Sequence, residues 1–216
     1  MEPEFWLSRW QEGRHGFHQE RVHPDLERFE AEFLGDGPHR VLVPLCGKTL
    51  DLAWLAARGH EVVGVELSPV AVAAVFEREG LTPEVDHLGP FERSRAGAIT
   101  VLRGDVFEAT PELVGTFDRV WDRAAIVALD EPRRPRYVAT VRALMAPGAR
   151  LLQNAFAYDQ TKMDGPPWSV PEAEIQGHYG DWSIQPVLED VLTEGKFAER
   201  GVPSWTVTRY FIDRPQ

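Results

Sequence analysis

The sequence predicts an α/β fold built on a doubly wound, mostly parallel, seven-stranded sheet, and three observations predict it. From residue 39 onward, apolar runs of strand length alternate with longer amphipathic segments, the pattern of strands joined by crossover helices. The stretch "VLVPLCGKTLDLAWLAARGHEVVGVELSP" (41–69) reads as a strand, a tight turn at Cys46-Gly47, a helix, and a second strand ending on an acid, Glu66. The last two strand-like runs have no crossover helix between them, so they are expected to pair antiparallel at a sheet edge.

Residues 1–36 read as an N-terminal helical extension. Within it "HPDLERFEAEFL" (23–34) puts Leu26, Phe29, Phe33 and Leu34 on one helical face. The strands expected next are 40–45, 61–66, 98–104, 117–122 and 149–157, and the edge pair is 182–189 and 204–213. Helices are expected over 48–58, 69–79, 106–114 and 132–145. Asp130 and an early proline suit the start of the last of these. "APGA" (146–149) suits its end, with Gly148 free to take positive φ. Residues 81–97 carry no readable pattern. Residues 158–171 include "TKMDGPPWSVP", a Pro/Gly-rich loop too long for a simple connection. One domain spanning 1–216 is the default at this length.

Composition narrows the partners. The net charge is −11, which repels nucleic-acid phosphates and anionic lipid, so a small-molecule partner is expected, and neither nucleic acid nor membrane. No window approaches the ~18 apolar residues of a membrane span. The aromatic, charge-mixed N-terminus lacks the apolar core of a secretory leader. The single cysteine, Cys46, rules out an intrachain disulfide and suits a reducing, cytoplasmic setting.

In open α/β sheets, ligands sit at the carboxyl ends of the strands. "PLCGKT" lies there, but it lacks both G-x-G-x-x-G and the phosphate-gripping P-loop pattern. It suits a nucleoside without phosphates, or else Gly47 only makes a tight turn. Glu66 stands 19 residues after Gly47, a spacing at which an acid on the second strand can take both ribose hydroxyls. Alone it reads equally as a solvated carboxylate. Asp105 follows the third strand and fits either a helix N-cap or an acceptor for a base's amine.

"WDRAA" (121–125) ends the fourth strand. Trp121 offers an apolar wall. Asp122 and Arg123 either pair with each other or let Arg123 reach an anionic or heteroaromatic ligand. In "FWLSRWQEGRHGFHQ", Trp6 reads as a packing residue, while Trp10 and Phe17 suit a lid. His15, His18 and His23 match no zinc spacing, so no metal is expected. Cys46 reads as a small buried thiol.

Together these segments closely resemble the thiopurine S-methyltransferases of bacterial type, within the class I S-adenosylmethionine-dependent methyltransferases. The resemblance rests on "FWLSRWQEGRHGFHQERVHPDL", "VLVPLCGKTLDLAWLAARGHEVVGVELSP", "FDRVWDRAA" and "DGPPWSVPEAEI", and runs nearly the whole chain. It implies a Rossmann-like fold and a monomer. It implies that Trp10, Leu45, Glu66 and Arg123 contact S-adenosylmethionine, with Gly47 and Asp105 beside them. It implies that Phe17, Asp122, Arg123, Pro166, Pro167, Trp168 and Arg200 line the acceptor pocket. The segment after Arg200, "VPSWTVTRYFI", departs from the family pattern.

The implied chemistry is attack of a thiol or thiolate on the sulfonium methyl, giving a thioether and S-adenosylhomocysteine. Such a thiol needs little base help, so Asp122 and Arg123 are expected to position the acceptor rather than to move a proton. Bacterial relatives are linked to methylation, and so detoxification, of selenium and tellurium compounds. Competing readings are a thiol/halide methyltransferase, which would carry a more glycine-rich loop, and a nucleotide-dependent oxidoreductase, which would want G-x-G-x-x-G. A non-catalytic, methyltransferase-like binding protein would not need Glu66, Asp105 and "WDRAA".

Overall fold

The computed structural model describes residues 3–14, 16 and 18–216. His15 and Phe17 lie outside the described residues. The extension forms helix α1 (Pro3–Gln11), then α2 (Pro24–Arg28) and α3 (Glu30–Leu34). The expected single helix over 23–34 bends at Phe29, whose φ is −102° and ψ 17°. Neither Gly nor Pro stands there, so packing rather than propensity sets the bend. Leu26, Phe29, Phe33 and Leu34 are all buried, so the apolar face survives it.

The wound core follows in the expected order. Strand β1 (Arg40–Pro44) leads through α4 (Asp51–Ala57) to β2 (Glu61–Glu66), and α5 (Pro69–Arg78) follows. Ser68 caps α5 by accepting from the Ala71 N–H, with Pro69 in the first turn. After a hairpin of β3 (Glu84–Leu88) and β4 (Phe91–Ala96) come β5 (Ile99–Arg103), the short α6 (Pro111–Val114) and β6 (Phe117–Arg123). Then α7 (Arg134–Leu144) runs directly into β7 (Met145–Ala157). Gly148 takes a φ of 74°, inside the strand rather than before it. Asp130 precedes a 3₁₀ turn, not α7 itself, and its carboxylate pairs with Arg133 at 2.8 Å instead of capping. The chain ends through α8 (Glu172–Tyr179), β8 (Ser183–Leu192), α9 (Lys196–Glu199) and β9 (Trp205–Asp213).

The sheet has nine strands among the described residues, in the order β3-β4-β5-β2-β1-β6-β7-β9-β8, which corrects the expected seven. The central five strands are mutually parallel, and β8 and β9 form the expected antiparallel edge. The two unexpected strands are β3 and β4, in the stretch without a readable pattern. Ion pairs hold this edge in place of an apolar face. Arg93 grips Asp86 directly across the hairpin at 2.8 and 2.6 Å, and Arg103 of β5 grips Glu92 of β4 at 2.9 and 2.8 Å. Opposed charges stabilise a strand pair without any hydrophobic alternation to detect. Helix α8 carries little apolar signal either, because only Ile175 and Tyr179 of it are buried.

The two faces of the sheet hold separate cores. Val41, Val43, Trp121 and Leu152 pack with the extension, α4 and α5. Leu42, Val120 and Leu151 pack with α7 and α8 on the other face. Alternate residues of one strand thus enter different cores. No helix among the described residues is long and apolar enough to cross a membrane.

Candidate active site

The carboxyl ends of β2, β1, β6 and β7, and the loop after β5, open onto one cavity of about 840 Å³, roofed by α1 and by residues near α9. At one end the chain leaves β1 through Leu45 and Gly47, with φ of 48° and 56°. This left-handed turn brings the Gly47 N–H to Glu66 Oε2 at 2.8 Å, while the Ser68 N–H reaches Oε1 at 2.7 Å. A Cβ on Gly47 would sit 3.1 Å from the Trp10 ring. Glycine is therefore favoured by conformation and by space together.

Glu66 is 7% exposed. Burial pushes its pKa up, against the pull of N–H donors from Ser68, Gly47 and Leu67. Gly47 and Ser68 take acceptor sites on different carboxylate oxygens, and the carboxylate keeps further acceptor capacity. The Asp105 carboxylate accepts from the Phe107 N–H at 3.0 Å, as an N-cap does, and the residue lines the cavity. Trp10 and Leu45 line the same end. Trp6, expected only to pack, faces the cavity too.

The other end is built on β6, β7 and β9. Strand alternation turns Trp121 and Arg123 to the cavity. Burial draws the Arg123 pKa down, and the carboxylates of Asp51 and Asp25 oppose that shift. Asp51 accepts from Trp121 Nε1 at 2.8 Å and from the His23 N–H at 2.9 Å. Asp25 Oδ2 accepts from Arg209 Nε at 2.7 Å and from Asn154 Nδ2 at 2.8 Å. Pro166, Pro167 and Arg200 also line the cavity, and Arg200 is steadied by donating to the Asp164 carbonyl at 2.8 Å.

Two expected acceptor contacts are corrected. Asp122 does not line the cavity and does not pair with Arg123. As its strand neighbour it points through the opposite face, where it is fully buried. Its Oδ2 accepts from Tyr137 OH at 2.7 Å and Gln153 Nε2 at 2.9 Å; its Oδ1 accepts from the N–H groups of Ala125 and Ile126 at 3.0 and 3.2 Å. The carboxylate therefore braces the turn after Arg123, where Ala124 has a φ of 74°. Trp168 does not reach the cavity either. Its ring packs against Gly165, and its backbone N–H donates to the Val127 carbonyl at 2.7 Å. It thereby holds the loop that carries Pro166 and Pro167.

The sequence reading missed Asp25, Asp51, Asn154 and Arg209. The alternation of β7 and β9 signals which face Asn154 and Arg209 take, but not which distant aspartate meets them. His23 is the titratable hinge of this cluster. Burial first, then the Arg123 charge, lowers its pKa from 6.5 to about 4, although Asp25 and Asp51 oppose this. The unfolded chain therefore takes up this proton before the folded one. The stability contributed by neutral His23 is complete above about pH 6.5 and lost as pH falls toward about 4, by up to about 3 kcal/mol. Urea unfolding of wild type and His23→Gln across that window is expected to show the variant losing less stability on acidification. Equal slopes would reject the assignment.

A family model described as "Thiopurine S-methyltransferase (TPMT)" matches residues 1–214. The thiopurine S-methyltransferase of Pseudomonas aeruginosa (strain UCBPP-PA14) is 42% identical over 217 residues, covering 99% of this chain and 100% of that one. The thiopurine S-methyltransferase of Bordetella petrii is 43% identical, covering 99% of each. Among solved structures, the Burkholderia thailandensis 1,6-didemethyltoxoflavin-N1-methyltransferase with bound S-adenosylhomocysteine aligns with a TM-score of 0.65 at 18% identity, over 99% of this chain and 87% of that one. TehB from Haemophilus influenzae aligns with a TM-score of 0.65 at 17% identity, over 91% and 63%. At these identities the two structures speak to the fold.

Proposed function

The chain belongs to the thiopurine S-methyltransferase family, and from that premise we propose that it transfers a methyl group from S-adenosylmethionine to the sulfur of a small aromatic or heterocyclic thiol. The observation that carries this reading is a single cavity with a nucleoside-type end at Gly47 and Glu66 and an arginine-lined, partly apolar end at Arg123, Pro166 and Pro167. The first end fits the cofactor. Glu66 keeps acceptor capacity for two ribose hydroxyls, and the glycine turn leaves no side chain in the way. Trp10, Leu45 and Asp105 would complete that cradle, with Arg123 at its far side.

S-adenosylmethionine, when bound, supplies a methyl on a positively charged sulfur, ready for displacement. The chain's own part is to position and to exclude water. Trp10, Trp121 and the two prolines offer dry surface, where a reaction that disperses charge is favoured. Arg123 and Arg200 are cations that favour the thiolate over the thiol. Holding both partners in line supplies much of the acceleration. Phe17 remains an expected acceptor contact. Asp122 and Trp168 act from behind, through the segments that carry Arg123, Pro166 and Pro167. Selenium and tellurium compounds, soft nucleophiles like thiolates, are a second proposed acceptor class, resting on the family resemblance.

Incubation with S-adenosylmethionine and an aromatic thiol is expected to yield S-adenosylhomocysteine and the methyl thioether in equal amounts, read by mass spectrometry. S-adenosylhomocysteine without thioether, or neither product across a panel of aryl and heteroaryl thiols, would overturn the acceptor class.

A further inference from the structure

Register places Arg123, Asn154 and Arg209 side by side on β6, β7 and β9. Their side chains therefore leave the sheet on one face, and all three residues line the cavity. Asn154 is 3% exposed. Its amide NH2 is committed, since Nδ2 donates to Asp25 Oδ2 at 2.8 Å. The same oxygen takes Arg209 Nε at 2.7 Å, and Arg209 is held in turn by Asp190 at 2.6 Å. An ionised carboxylate only accepts, so it admits one orientation of the neighbouring amide, NH2 toward Asp25.

That orientation leaves Asn154 Oδ1 buried and without a hydrogen-bond partner among the described residues. Such an acceptor is costly to leave unmatched. Its place in the fold says what would match it. Glu66 ends β2, and β7 lies three strand spacings away, about 14 Å. The amide therefore belongs to the acceptor's end of the cavity, beside Arg123, rather than to the ribose end.

We propose that Asn154 is a specificity-determining residue: its Oδ1 accepts a hydrogen bond from an N–H or O–H of the methyl acceptor, so that the protein favours thiols carrying a ring donor. The proposal rests on the methyl-transfer reading above. Asp25 and Arg209 are positioning residues, since they fix the face that the amide presents. A thiol lacking the donor leaves Oδ1 unmatched and is rejected for that reason.

The test uses acceptor binding, not turnover. Protein saturated with S-adenosylhomocysteine is titrated calorimetrically with mercaptobenzimidazole, and with mercaptobenzothiazole, in which ring sulfur replaces one N–H. Wild type is expected to bind the first at least about tenfold more tightly, and Asn154→Leu to bring the two within about twofold at unchanged cofactor affinity. No preference in wild type, or the same preference in the variant, overturns the assignment. Should Asn154→Leu fail to fold, N-methylated mercaptobenzimidazole on wild type reads the same donor: about tenfold weaker binding supports the assignment and equal binding overturns it. Failure of S-adenosylhomocysteine itself to bind would sink the methyltransferase reading and this proposal with it, whereas its binding without the acceptor preference overturns the proposal alone.

Discussion

Glu66→Ala is expected to weaken S-adenosylhomocysteine binding by about 3–5 kcal/mol, on the order of a few hundred- to a few thousandfold. Two ribose hydroxyls would lose a charged acceptor, and each such bond contributes about 1.5–3 kcal/mol. The Gly47 and Ser68 N–H groups would also lose their partner, so the turn that shapes the cofactor end loosens. Glu66→Gln separates the two effects. It keeps one oxygen for the backbone but puts an NH2 against the other donor. Its binding is expected to fall between wild type and alanine, with less loss of thermal stability than the alanine variant. Calorimetric titration that finds Glu66→Ala within about threefold of wild type would reject the ribose role.

Acidity adds a second signature at the same residue. Burial raises the Glu66 pKa, so the folded protein holds this proton more tightly than the unfolded chain. The stability associated with protonated Glu66 is present at low pH and lost as pH rises through the raised value. Ligand binding runs the other way, because a protonated carboxyl spends an acceptor site on its own proton. Acidification through the raised value is therefore expected to weaken S-adenosylhomocysteine binding through this residue while removing the cost of its buried charge.

Asp122→Ala is expected to cost about 3–5 kcal/mol of folding stability, the range for breaking a buried charged network. Four donors converge on this carboxylate: Tyr137 OH, Gln153 Nε2 and two backbone N–H groups. Truncation strands all of them in the core below α7. Burial has already raised the Asp122 pKa, with the hydrogen bonds from Tyr137 and Gln153 opposing. The neutral amide of Asp122→Asn forgoes the cost of a buried charge, and that variant is expected to cost less than half as much. Urea unfolding monitored by tryptophan fluorescence measures both. A loss below about 1 kcal/mol for alanine would show that the network relaxes around the gap.

Much of the Gly47–Glu66 end of the cavity was legible in the sequence. Apart from β3 and β4, strand and helix order from Arg40 to Ala157 follows from apolar periodicity, because each central strand is buried on both faces. The distance from Gly47 to Glu66 is set by one crossover unit, so local spacing was enough to bring the turn and the acid together. Strand alternation also separates Arg123 from Asp122, although the family resemblance had placed both in the pocket.

The tertiary structure alone decided the rest. The β3–β4 edge is held by cross-strand charges, which leave no apolar signature. The β6–β7–β9 end of the cavity gathers Asp25 with Asn154 and Arg209, 129 and 184 residues further along the chain. Periodicity tells which face a residue takes. It does not tell which distant residue will be packed against that face, because such meetings are settled by how the extension and the last strand close over the finished sheet.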